Sequence, residues 1–155
     1  MLWFSKAFLK ASLVWLGLGV TLGVAMAAIP AWAAFRTAHL HMLVLGFVGM
    51  MIFGVAYHVI PRFTGNVLSS ARAGAVQWWI SNGGLAAMVI GFVLRAQARP
   101  IGTPVLVLGG VLGALGAYLF IWNIWRTIDG PRGVRAAAAR ASQTAESPRR
   151  LSVIP

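Results

Sequence analysis

The sequence predicts an all-α fold, an integral membrane four-transmembrane-helix bundle with both termini cytoplasmic, and three observations predict it. Of the 155 residues, 59% are hydrophobic and only 10% are charged, far from the soluble mix in which roughly a quarter of residues carry charge. Four apolar stretches, at about 7–29, 38–60, 75–94 and 101–125, each reach the roughly 20 residues of helix that cross a hydrocarbon core. The 13 basic residues divide ten to three. Lys6, Lys10, Arg62, Arg72, Arg126, Arg132, Arg135, Arg140, Arg149 and Arg150 fall on one side, and Arg36, Arg95 and Arg99 on the other. The positive-inside rule puts the first side in the cytoplasm. Residues 1–128 therefore read as one transmembrane domain and 129–155 as a basic cytoplasmic tail, in a multi-pass protein of the bacterial inner (cytoplasmic) membrane.

The first stretch follows Lys6 and Lys10 and precedes "AWA" at 31–33, which imitates a signal peptide. Its apolar run exceeds the 7–15 residues of a signal h-region, so it is expected to stay as a helix. Gly19, Gly23 and Ala27 there, and Gly109, Gly113 and Ala117 in the fourth stretch, form small-xxx-small stripes that allow close helix approach in lipid. Asn82 in "SNGG" at 81–84 is expected to hydrogen-bond a neighbouring helix. Trp3, Trp32, Trp78, Trp79, Trp122 and Trp125 sit near helix ends, at the headgroup level where amphipathic rings settle. After "DGPRG" at 129–133 the chain turns polar and Arg-rich. There "VRAAAARA" suits a short surface helix, with arginines that match an anionic leaflet.

Composition also excludes. With no cysteine, disulfides, thiolate zinc sites, iron–sulfur clusters and covalent c-type haem are ruled out. The net charge of +11 belongs to helix ends and tail, so it indicates orientation and no nucleic acid. The only acids, Asp129 and Glu146, lie in the tail. Transport and hydrolysis driven by membrane-buried carboxylates are therefore not expected, nor is an independent enzyme.

The second stretch, "TAHLHMLVLGFVGMMIFGVAYHVIPRFTG" at 37–65, holds all three histidines, His39, His41 and His58. Ionisable groups in a membrane helix are expensive and point to function. At about 100° per residue, His39 shares a face with Met42, Leu43, Gly46, Met50, Phe53 and Tyr57, while His41 points roughly 160° away. His58 lies about 28 Å along the axis from His39, so the two cannot share a metal. Imidazoles in a low-dielectric bundle suit haem or copper, with proton relay as a second use. Gly46, Gly49 and Gly54 could admit a flat macrocycle, and the thioethers of Met42, Met50 and Met51 could bind Cu(I). The candidate cofactor-binding residues are His39, His41, His58, Gly46, Met50 and Tyr57, with the three histidines as metal ligands.

"HLHMLVLGF" followed by "VIPRFTG" resembles the second helix of NnrS-type membrane proteins and, more distantly, the helix of haem-copper oxidase subunit I that supplies a low-spin haem ligand. The matching positions are His39, His41, Gly46, Phe47, Pro61, Thr64 and Gly65. The resemblance implies haem b on the helix 2 histidines, with copper as an alternative, and a role in respiration or in nitric oxide- or oxygen-linked redox chemistry. Those families use more helices and place further histidine ligands on them; this chain has none. A homo-oligomer, with helix 2 of one copy facing that of another across a haem, or a place among respiratory complex subunits, would supply what is missing; a Met or Tyr ligand, or an open position, is the other way out. The reading from a different class is a non-catalytic accessory subunit without cofactor, its histidines merely hydrogen-bonded.

Overall fold

The computed structural model describes residues 1–130; the basic tail, with its expected surface helix, lies outside the described residues. The described chain is all-helical. It comprises α1 (Trp3–Ala28), a 3-10 turn (Pro30–Phe35), α2 (Arg36–His41), a π-helical segment (Met42–Gly49), α3 (Met50–Thr64), α4 (Ala71–Ala96) and α5 (Gly102–Ile128). Four helices are long and apolar enough to cross a membrane: α1, the composite span Pro30–Thr64, α4 and α5.

Each boundary has a local cause. Ile29 is extended (φ −124°, ψ 97°), as a residue before proline prefers, and this ends α1 at Pro30. The second span stops at Gly65, whose φ of +68° is the left-handed conformation that closes a helix at low steric cost for glycine. Thr64 Oγ1 donates to the Ile60 carbonyl at 3.0 Å, and Asn66 Nδ2 donates to Thr127 O at 3.0 Å and Ile128 O at 3.2 Å. Asn66 thereby satisfies carbonyls that the end of α5 leaves unpaired. Ser70 caps α4 by accepting from Ala73 N at 3.1 Å, an arrangement typically worth about 1 kcal/mol.

Within the second span, the π segment changes the register. Ala38, Met42, Gly46, Met50 and Gly54 are all buried, a strict four-residue repeat. In an unbroken α-helix such a row drifts by about 40° per step. The wider i→i+5 turn over Met42–Gly49 rotates less per residue and cancels that drift, so the row stays against α1 and α4. Met50 N–H donates to Leu45 O, five residues back.

Packing is closest between α4 and α5. A Cβ on Gly109 would lie 2.5 Å from Met88 N and 2.7 Å from Gly84 O, and one on Gly91 would lie 2.6 Å from Leu106 N. Only hydrogen fits there. Of the expected α5 stripe, Gly109 packs into α4, whereas Gly113 and Ala117 line a cavity between the second span, α4 and α5. On α1, Gly19 receives Leu43 and Gly23 receives the His39 ring, so both pack within the chain.

The core sits toward the end of the bundle that holds the start of α1 and the end of α5. Phe4 packs on Tyr57, Phe8 on Phe53 and Tyr57, and Phe120 on Phe53 and Tyr57 there, with ring centroids 4.6–6.2 Å apart. Trp3, Trp32, Trp122 and Trp125 are exposed near helix ends, Trp79 is exposed in the third turn of α4, and Trp78 packs edge-on against Trp3 and Trp79. Trp15 Nε1 donates to Asn82 Oδ1 at 3.1 Å, the cross-helix bond expected of Asn82.

Candidate functional site

The three histidines occupy three different environments. His39 lies between the second span and α1. Its Nδ1 is 2.8 Å from the Gly19 carbonyl, and a carbonyl can only accept, so Nδ1 carries the proton. In the neutral ring Nε2 then holds the lone pair. The ring fits only because residue 23 is glycine: a Cβ there would lie 2.9 Å from His39 Cε1.

His41 points elsewhere, as its angular offset predicts. Its Nδ1 lies 2.8 Å from the Thr37 carbonyl, which assigns the same tautomer and again leaves the lone pair on Nε2. Its ring packs against Phe92 of α4, with centroids 4.7 Å apart. Thus His39 faces α1 and His41 faces α4. Among the described residues no three His, Cys, Asp or Glu side chains gather where they could hold a metal ion.

At the far end of the span, the Arg62 guanidinium lies directly against the His58 ring and donates to the His58 carbonyl at 3.1 Å.

The remaining candidate residues are engaged in packing. A Cβ on Gly46 would lie 2.6 Å from Trp15 Cβ, and one on Gly54 would lie 3.0 Å from Leu9 and from the Ser5 carbonyl. These two glycines admit side chains of the same chain. Gly49 has only its own helix within reach. Met50 and Tyr57 are each 2% exposed and belong to the core.

Tyr57 also anchors a buried polar seam that the histidine pattern did not reveal. Its hydroxyl donates to Gln77 Oε1 at 2.5 Å and accepts from Asn123 Nδ2 at 3.5 Å. Asn123 holds the start of α4: Oδ1 accepts from Ser70 N at 2.9 Å and Nδ2 donates to Ser70 O at 2.8 Å. Thr127 Oγ1 donates to Asn123 O at 2.7 Å and accepts from Ser69 N at 3.0 Å. The sequence does carry a signal for this seam. Gln77 and Ser81, and Asn123 and Thr127, are polar pairs four residues apart on otherwise apolar helices, a spacing that puts each pair on one face.

No known protein family, curated protein or solved structure matches the chain.

Proposed function

We infer that the chain is a haem-binding membrane protein, holding a b-type haem through its outer histidines at a contact with a second copy or with another respiratory subunit. One observation carries the reading. Both His39 and His41 donate Nδ1–H to a main-chain carbonyl, and this leaves the Nε2 lone pair available. Ligating histidines are characteristically held in this way, because the second-shell bond fixes the tautomer and raises the basicity of the coordinating nitrogen. A bound haem would supply a one-electron couple. The chain's own part is to orient the imidazoles and keep the surroundings apolar. Because the two rings face different helices, one copy would not readily offer both to one iron, and a residue of a neighbouring copy or subunit would complete the site. Copper is the alternative metal. The motif resemblance to NnrS-type proteins and haem-copper oxidase subunit I points the same way.

The ten-to-three division of basic residues supports an inner-membrane orientation with both termini cytoplasmic. His39 and His41 then sit toward the periplasm and His58 toward the cytoplasm.

An optical spectrum of detergent-purified protein tests the assignment. A Soret band is expected that is lost on His39→Ala or His41→Ala and kept on His58→Ala. A colourless preparation free of haem and copper would sink it. The second reading, an accessory subunit without cofactor, is favoured by the same His39–Gly19 bond, since it also ties α1 to the second span. Its signature is co-purification with a partner at fixed stoichiometry and no pigment.

A further inference from the structure

We propose that the cleft beside His58 and Arg62 binds the headgroup of an anionic phospholipid, with one acyl chain lying along the exposed face of α3. This site is distinct from the outer histidines, at the opposite end of the span. The cleft has a volume of about 520 Å³ and is lined by both of these side chains, by Asn66, and by apolar Leu2, Pro61 and Leu68. Among the described residues no carboxylate lines it. Asp129, the only acid among the described residues, lines a different cleft with Arg126.

The chemistry of the cleft asks for an anion. Arg62 is exposed and uses one terminal nitrogen on His58. The rest of its planar fork remains available, and that fork matches phosphate oxygens in pairs. The end of α3 opposes this with a partial negative charge of about one half from the helix dipole, an effect confined to the last turn. A full guanidinium charge outweighs it.

The adjoining surface identifies the anion as a lipid. Val55 and Met51 continue the stripe below His58, at offsets of three and then four residues. With Ile52, Ala56, Val59 and Ile60 they line a wholly apolar groove of about 290 Å³. Between Met51 and Val59 this groove follows about 12 Å of helix. A soluble phosphate would use the cleft and leave the groove bare; a phospholipid fills both. Basic pockets between transmembrane helices are known takers of anionic headgroups.

Native mass spectrometry of the full chain, released from nanodiscs that hold phosphatidylglycerol and phosphatidylcholine with identical acyl chains, tests the proposal. The wild type is expected to retain one phosphatidylglycerol with a preference of about fivefold, the scale set by one basic residue at a membrane surface. Arg62→Gln should bring that preference within about twofold, while Arg99→Gln, at the other end of the bundle, should keep it. Should Arg62→Gln fail to fold by circular dichroism, Val55→Trp, which fills the groove from an exposed position, should lower retention instead. Equal retention of the two lipids by the wild type would overturn the proposal. So would equal losses from the variants at the two ends, or displacement of the lipid by millimolar inorganic phosphate.

Discussion

His39 is set by a residue sixteen positions away that has no side chain. Gly23 leaves room for the ring, and the Gly19 carbonyl one turn earlier takes its Nδ1 proton. Substituting Gly23→Ala adds a methyl 2.9 Å from Cε1, closer than a relaxed contact allows, so the imidazole must turn away from Gly19. The expected result is loss of the Nδ1–H signature of His39 in the ¹⁵N spectrum, with His41 unchanged. If the purified protein carries haem, its Soret band should shift in the same variant. The histidines themselves are legible in the sequence as costly residues in an apolar helix. Their tautomers are not, because for His39 the deciding acceptor belongs to another helix and becomes a neighbour only on packing.

At the scale of the element, hydropathy makes the four spans legible because crossing lipid demands length and apolarity, and both are properties of composition. The structure lengthens the expected stretches by a few residues at most ends. It also joins the 3-10 turn, α2, the π segment and α3 into one span of 35 residues. The π register was not legible. "MLVLGFVG" is apolar at every position, so no pattern of polarity marks which residues face inward, and the buried row emerges only against α1 and α4. The polar seam was only half legible, since a four-residue spacing signals one face but not which partner that face meets. The α4–α5 pair rests on main-chain proximity at glycine, which yields a direct test. Gly109→Ala would set a methyl 2.5 Å from Met88 N, and backbone cannot step aside as a side chain can. A loss of about 1–3 kcal/mol is expected, read as a lower midpoint for unfolding in detergent. Gly110→Ala, with nothing within 4 Å, should be nearly neutral.

Across the whole molecule, the loop between the second span and α4 closes the same end of the bundle as the start of α1 and the end of α5. The loop between α4 and α5 closes the other end with the 3-10 turn. The chain has no cysteine, so single introduced thiols report sidedness without background. On the proposed inner-membrane orientation with both termini cytoplasmic, Ser69→Cys is expected to react with a membrane-impermeant maleimide only after the membrane is opened. Gln97→Cys should react in intact spheroplasts; the reverse pattern would invert the orientation and put the outer histidines toward the cytoplasm. The π segment bears on this architecture through chain length. A helix that winds with more residues per turn holds slack, so the second span carries material that an α-helix of the same rotation would not need. One residue removed from Met42–Gly49 can be taken up by tightening to α, leaving His39 against α1 and Tyr57 against Gln77. The same deletion within Ile52–Gly54 has no slack to draw on and turns one half of the span against the other. Tolerance to a one-residue deletion, scored as yield of folded protein, should therefore be local to those eight positions. The second span would then accept length variation in its middle while its two ends stay fixed.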